Sequence, residues 1–349
     1  MQDDLSRYSC QMVLPGFGAG GQKKLQEARV LVAGAGGLGC PVALYLTAAG
    51  IGTLGIADYD VVSISNLHRQ VLYREEDAGS QKAAVAADRL RRQNPHVRVV
   101  EHPVKIDAAN VLDILEQYDI VVDATDNFST RYLINDACVL SGKPLVYGAI
   151  YQYEGQVALW NHLQPDGTRS PHYRDVFPDA DAAQIPDCAE GGVTPPLAGI
   201  IGCMQANEVI KWVSGTGELL AGKLLLFDAS TLQTRLIKIG PVSHTPVTTL
   251  PTLDAVATIS AATLKAALPH ELYQLIDVRN SDERARFHIG GTHIPLSELE
   301  NNLNFLDKKK PVVFYCASGK RSAEAVKKLQ KKFPQTLFYS LEAGLKNWS

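Results

Sequence analysis

Cys316-Ala317-Ser318-Gly319-Lys320-Arg321 places a thiol in a short loop beside two cations. The apolar run before it, Val312-Val313-Phe314-Tyr315, reads as a buried strand, and Ser322 to Leu329 reads as an amphipathic helix. The cysteine therefore lies at a helix N-terminus, a setting that favours a thiolate and a bound anion. A second loop, Gly34-Ala35-Gly36-Gly37-Leu38-Gly39, follows a strand and opens a helix. Glycines there let the backbone approach phosphates, and the helix N-terminus favours their charge. Asp58, ending the next strand, is placed to bond ribose hydroxyls. This pattern says nucleotide. It fits an NAD(P)-dependent oxidoreductase as well as an ATP enzyme, and a tight turn without ligand is the plainer alternative.

The residues that follow favour a triphosphate. Asp58-Tyr59-Asp60 leads into Ser65-Asn66-Leu67-His68-Arg69-Gln70, then Gly79-Ser80-Gln81-Lys82, and later Asp123-Ala124-Thr125-Asp126-Asn127. A dehydrogenase needs no Arg and Lys converging beyond the second strand. A triphosphate is neutralised by such cations, and a carboxylate at the sheet's C-terminal edge can hold Mg²⁺. Each residue alone reads as solvated surface; in this order they read as one site.

The elements that must position these groups are those of an α/β fold. Short apolar runs alternate with longer helical patterns, as in βαβ units on a parallel sheet. Strands are expected at 29–33, 53–57, 97–101, 119–124 and 144–149, and helices at 39–49, 81–93 and about 129–141. Residues 164–192 are polar and read as a long crossing loop. Thr194-Pro195 starts a helix to about Val213, with Ala198, Gly199, Gly202 and Ala206 allowing close packing. Residues 241–254 read as a linker between a domain at 1–240 and a second, shorter α/β pattern at 255–349.

With 349 residues and 46% apolar content the chain can build two cores. A net charge of -3 gives no basic surface for nucleic acid. No apolar stretch reaches the roughly 18 residues of a membrane span, and the acidic start does not resemble a signal peptide. Six cysteines (Cys10, Cys40, Cys138, Cys188, Cys203 and Cys316) are dispersed without a C-x-x-C pair, which fits a reducing cytoplasm.

The glycine loop, Ser65-Asn66-Leu67-x-Arg69-Gln70, Lys82 and Thr125-Asp126-Asn127 resemble the MoeB/ThiF adenylyltransferases, relatives of the ubiquitin-activating enzymes. The resemblance covers roughly residues 5–240. It implies a Rossmann-like domain with a mixed sheet, a homodimer, and ATP with Mg²⁺. The implied reaction is adenylation of the C-terminal Gly-Gly of a ubiquitin-like sulfur carrier. By resemblance, Gly34, Gly36, Gly37, Gly39, Asp58, Asp60, Ser65, Gln70 and Asn127 bind the nucleotide. Asn66, Arg69 and Lys82 engage phosphates, and Asp126 serves the metal. Leu275 to Arg279, His288 to Pro295, the Cys316 loop and Gly344 to Trp348 resemble a rhodanese domain. That resemblance makes Cys316 a persulfide carrier, with Ala317, Ser318, Gly319, Lys320 and Arg321 as its cradle.

Three departures stand out. The family has an arginine where this chain has Cys10, and Arg7 is expected to substitute. Two C-x-x-C zinc pairs are missing. His172, Asp175 and His244 stand near those positions, but without a thiolate no structural zinc is expected. Cys188 matches a cysteine that links covalently to the carrier in some members. Cys40, Cys138 and Cys203 read as core. The combined reading is carboxylate adenylation followed by sulfur transfer from a Cys316 persulfide, loaded by a cysteine desulfurase or thiosulfate. An oxidoreductase with a rhodanese appendage, and a non-catalytic docking module, remain as alternatives. Pyrophosphate release without nicotinamide absorbance change separates the first.

Overall fold

The computed structural model describes residues 5–178, 192–240, 245–250, 256–270, 272–307, 310–333 and 336–348. Cys188 and His244 lie outside them. The chain forms two compact units, 1–251 and 252–349.

In the first unit, β1 (Arg29–Ala33), β2 (Thr53–Ala57), β3 (Arg98–His102), β4 (Ile120–Asp123) and β5 (Leu145–Tyr151) run parallel. They are near-continuous apolar runs because a parallel sheet is covered on both faces. β6 (Glu154–Trp160), β7 (Lys223–Asp228) and β8 (Gln233–Lys238) continue the sheet antiparallel. The spatial order is β3-β2-β1-β4-β5-β6-β7-β8. The direction of strand addition reverses between β1 and β4, and ligands bind at the carboxyl ends of strands at such a switch point. The mixed sheet is the expected one, although β6, β7 and β8 carry no individual sequence signal as clear as that of β1.

The helices of this unit are α1 (Ser9–Met12), α2 (Gly18–Glu27), α3 (Gly39–Ala49), α4 (Lys82–Gln93), α5 (Val111–Glu116), α6 (Phe128–Leu140), α7 (Tyr173–Val176) and α8 (Pro195–Ser214). Thr194 is the N-cap residue of α8, with Pro at the first helical position as expected. Buried Gln205 of α8 donates to the Asp123 carbonyl at 2.7 Å, which ties this helix to the end of β4. Cys40 and Cys138 are buried, and burial pushes both thiols up, that of Cys40 to about 12. They are core residues and not nucleophiles. Cys203 is only half-buried.

The second unit is a five-stranded parallel sheet in the order β11-β10-β12-β13-β9. The strands are β9 (Thr258–Ile259), β10 (Gln274–Asp277), β11 (Thr292–His293), β12 (Val312–Tyr315) and β13 (Phe338–Leu341). Its helices are α9 (Ala261–Ala267), α10 (Ser281–Arg286) and α11 (Lys320–Lys332). All four residues of β12 are buried, and the central position of this strand explains its unbroken apolar sequence.

Candidate functional site

The glycine loop closes the end of β1. Gly34 has φ +96°, and a Cβ there would lie 2.7 Å from the Ala124 carbonyl oxygen, so only glycine brings the β1 and β4 ends together. A cavity of about 430 Å³ opens at this switch point. Gly34, Gly36, Gly37, Asp58, Asp60, Asn66, Arg69, Gln70, Lys82, Asp126 and Asn127 all line it. Gly39 and Ser65 do not. Gly39 packs against Gly34, and exposed Ser65 bonds Ser63 through the hydroxyls at 3.0 Å.

Lys82 is the first residue of α4. Its amide donates to the Asp60 carbonyl at 2.9 Å and its ammonium to the Asp60 carboxylate at 3.1 Å. The Lys82 side chain is 5% exposed while that of Asp60 is 53% exposed, so the cation is built in and its counter-ion faces solvent. Arg69 donates to Asn66 Oδ1 at 3.2 Å, which orients the guanidinium. Asp58 accepts from the Ala35 amide of the glycine loop at 2.7 Å and from the Asp60 amide at 2.8 Å. Burial pushes its carboxyl above the ordinary value, against the pull of Lys82 and these amides. The buried Gln70 Oε1 has no protein partner among the described residues. Asp123, fully buried, accepts from the Thr125 amide and hydroxyl and so shapes the loop that presents exposed Asp126.

Sequence reasoning missed the far wall. Arg131 of α6 is buried and pairs with Asp123 at 3.1 Å. Its guanidinium lies 5.0 Å from the Tyr147 ring centre and 5.9 Å from that of Tyr173. Tyr147, Gln156, Tyr173 and Phe177 complete the wall. A charged residue directly before the apolar stretch Tyr132-Leu133-Ile134, within a helix, was the available signal for Arg131. The tyrosines looked like ordinary core.

The segment carrying Tyr173 is held by a polar staple. The Thr245 amide donates to Asp175 at 2.6 Å, and His172 Nε2 lies 3.0 Å from the Thr245 carbonyl oxygen and 3.3 Å from Asp175. Hydrogen bonds thus join the His172–Asp175 segment to Thr245. Arg7 and Cys10 do not line the cavity. Arg7 donates to the Gln93 carbonyl at 3.1 Å, and neighbouring Tyr8 packs at Gly50, the end of β2 opposite Asp58.

In the second unit Cys316 is buried at the end of β12, with Sγ accepting from the Gly319 amide at 3.1 Å. Gly344 (φ +60°) presses on this loop, where a Cβ would lie 2.3 Å from the Cys316 carbonyl oxygen. Lys320 and Arg321 are not equivalent cations. Arg321 is engaged by Glu283 through two bonds of 2.7 Å, so its charge is largely balanced. The bond to Arg321 holds the Glu283 carboxyl below the ordinary glutamate range, against its partial burial. Stability from such a pair is present above the unfolded glutamate value and is lost as pH falls through the folded one. In melting scans of the full chain, Glu283→Gln lowers the transition of the second unit at neutral pH. The gap to wild type closes as pH falls below the ordinary glutamate range.

The ThiF family model matches residues 8–246, and the Rhodanese-like domain model matches residues 260–349. The chain belongs to the ThiF family. This ThiF-family chain is 40% identical over 368 residues to a probable adenylyltransferase/sulfurtransferase MoeZ of Mycobacterium tuberculosis. That match covers 100% of this chain and 93% of the relative. It is 50% identical over 247 residues to a sulfur carrier protein adenylyltransferase of Thermus thermophilus, covering 70% of this chain and 91% of that protein. Among solved structures, E. coli MccB with ATP matches at TM-score 0.59 and 25% identity, covering 70% of this chain and 74% of the other. The chain is thus an adenylyltransferase and sulfurtransferase that uses ATP. These matches favour that reading over the oxidoreductase and docking-module alternatives. Among the described residues no helix is long and apolar enough to cross a membrane.

Proposed function

We propose that the chain adenylates the C-terminal glycine carboxylate of a ubiquitin-like sulfur carrier ending in Gly-Gly, then converts it to a thiocarboxylate. The observation that carries this reading is the union, in one chain, of a Lys82/Arg69/Asp126 cavity at the switch point with an intact Cys316 loop. The adenylyltransferase domain is taken as 1–240, the linker as 241–254 and the rhodanese domain as 255–349.

Asp58 receives the ribose hydroxyls, and the glycine loop, Asn66, Arg69, Gln70 and Lys82 receive the phosphates. Among the described residues no cluster of three or more His, Cys, Asp or Glu could hold a metal alone. That suits Mg²⁺, which is usually held by one or two carboxylates together with substrate phosphates and neutralises phosphate charge. Asp126 is its protein ligand. The aromatic wall around Arg131 faces the same cavity.

A carrier carboxylate oxygen attacks the α-phosphorus, and the bond to the β-phosphate breaks as pyrophosphate leaves. Lys82 and Arg69 stabilise the charge that develops on the departing group. The outer sulfur of a Cys316 persulfide then attacks the acyl carbon and AMP departs. Cys188 either takes the acyl group from AMP first and passes it to the persulfide, or attacks Cys316 Sγ of the acyl disulfide so that the thiocarboxylate leaves with the electron pair. An external thiol then reduces the remaining disulfide and restores Cys316. Covalent linkage of the two units raises the effective concentration of the second reactant. The active form is a cytoplasmic homodimer in which Arg7 reaches the cavity of the partner subunit, not that of its own chain, and supplies the cation missing at Cys10. A cysteine desulfurase or thiosulfate supplies sulfur. The test is ATP–pyrophosphate exchange with a carrier carrying a free terminal carboxylate against the same carrier amidated there. Exchange with the free form alone supports the reading, and exchange independent of the carboxylate refutes it.

A further inference from the structure

Two buried serines lie behind Cys316, and the two-step reaction above gives them no role. Ser322, in the first turn of α11, and Ser340 of β13 are both buried. Ser322 Oγ lies 3.5 Å from Cys316 Sγ, donates to the Gly319 carbonyl at 3.0 Å, and lies 2.8 Å from Ser340 Oγ. Ser340 Oγ is itself 3.3 Å from the same Gly319 carbonyl. One carbonyl thus has two hydroxyls in reach, and only one of the two also reaches the sulfur.

We propose that Ser322 is a positioning residue for sulfur transfer, whose hydroxyl turns to Cys316 Sγ when that sulfur is anionic while Ser340 takes over the Gly319 carbonyl. In the thiol state Ser322 donates to Gly319, and the S–H and Ser340 hydroxyl can both point at Ser322 Oγ. In the thiolate state Ser322 donates to the sulfur, Ser340 donates to Gly319, and the Gly319 amide keeps its bond of 3.1 Å to Sγ. No buried polar group loses its partner in either state, which matters because an unpaired one is costly. The exchange needs only rotation of two hydroxyls.

The sulfur is anionic at two points of the cycle. The thiol proton goes to buffer, and the thiolate pair attacks the outer sulfur of thiosulfate. A new S–S bond forms, the thiosulfate S–S bond breaks, and sulfite leaves with the electron pair. On discharge to an acceptor, Sγ is the leaving group and regains the pair. Ser322 stabilises Sγ in both steps and makes no contact with the donor. The charged groups nearest the loop include Lys320 and Arg321 of α11, with Glu324, Lys327 and Lys328 further along it, Asp282, Glu283, Arg284 and Arg286 of α10, Asp277 and Arg279 at the end of β10, Glu342, and Lys346. Arg284 also pairs with Asp277 at 3.4 Å. Arg321 is engaged by Glu283 and Arg279 by Asp277, so neither pair replaces the serine.

The experiment measures thiosulfate-to-cyanide sulfur transfer by the full chain across pH, with Ser322→Ala compared against Ser340→Ala. Ser322→Ala lowers kcat about tenfold, leaves KM for thiosulfate unchanged, and displaces the pH profile by about one unit to the alkaline side. Ser340→Ala removes the hydroxyl that takes over at Gly319 but not the one that reaches the sulfur, and costs less, about threefold, because the Gly319 carbonyl still accepts from the Ala323 amide at 3.0 Å. Site-resolved alkylation of Cys316 moves with pH in the same way as the rate. Equal losses in both variants would mean a structural hydroxyl network and overturn the proposal. So would a Ser322→Ala chain with an unmoved pH profile.

Discussion

Lys82→Ala lowers carrier-dependent ATP–pyrophosphate exchange about a thousandfold, while sulfur transfer from thiosulfate at Cys316 continues. The ammonium is almost fully buried beside the glycine loop and is bonded to half-exposed Asp60. A cation kept dry in this way is worth far more to a developing phosphate charge than one in water. Losing it leaves Asp60 able to turn to solvent, so the fold survives and the deficit is chemical. Lys82→Arg does not fully restore the rate, because a planar guanidinium cannot reproduce the compact point charge of the almost fully buried ammonium. Unimpaired exchange in a folded Lys82→Ala chain would remove Lys82 from the reaction.

Cys316→Ala gives the mirror result. Exchange proceeds at the wild-type rate, since Cys316 belongs to the second unit and lines no part of the nucleotide cavity. Thiosulfate consumption and thiocarboxylate formation both stop. Of the other described cysteines, exposed Cys10 sits on the four-residue α1 and not in a loop of backbone amides like that around Cys316, and the remaining three are poor nucleophiles. Cys40 and Cys138 are sealed in the core with thiols pushed up by burial, and Cys203 is likewise pushed up by partial burial. A thiol replaced by Ala at the buried end of β12 removes little volume, so the loop keeps its shape through Gly319 and Gly344. Sulfur transfer persisting in this variant would place the persulfide elsewhere in the chain.

Much of both sites was legible because their chemistry lies in local motifs. The Gly34–Gly39 loop, Arg69, Lys82 and Asp126 each follow a strand of unbroken apolar sequence, and such strands announce themselves. Topology then brings their ends to one switch point. The far wall was not legible for the opposite reason. Tyr147, Gln156 and Tyr173 come from β5, β6 and α7, and only antiparallel pairing of β5 with β6 gathers them. In sequence they are apolar or polar residues in ordinary patterns. Arg131 is recognisable as functional only once its partner Asp123 and the rings around it are in place. The same limit applies to Arg321. Its charge reads as available in sequence, and Glu283, 38 positions earlier, claims it in the fold. Ser65 shows the reverse error, a motif residue whose hydroxyl the fold turns to Ser63.

The measurement that reaches the central claim is formation of carrier thiocarboxylate by the intact chain, read by mass as replacement of one terminal oxygen by sulfur. The Gly-Gly carrier, MgATP and thiosulfate are supplied together with an external thiol. The account predicts product with all components present. It predicts none when ATP is omitted, when thiosulfate is omitted, or with either Lys82→Ala or Cys316→Ala. Thiocarboxylate formed without ATP, or by the Cys316→Ala chain, would contradict the coupling of the two sites.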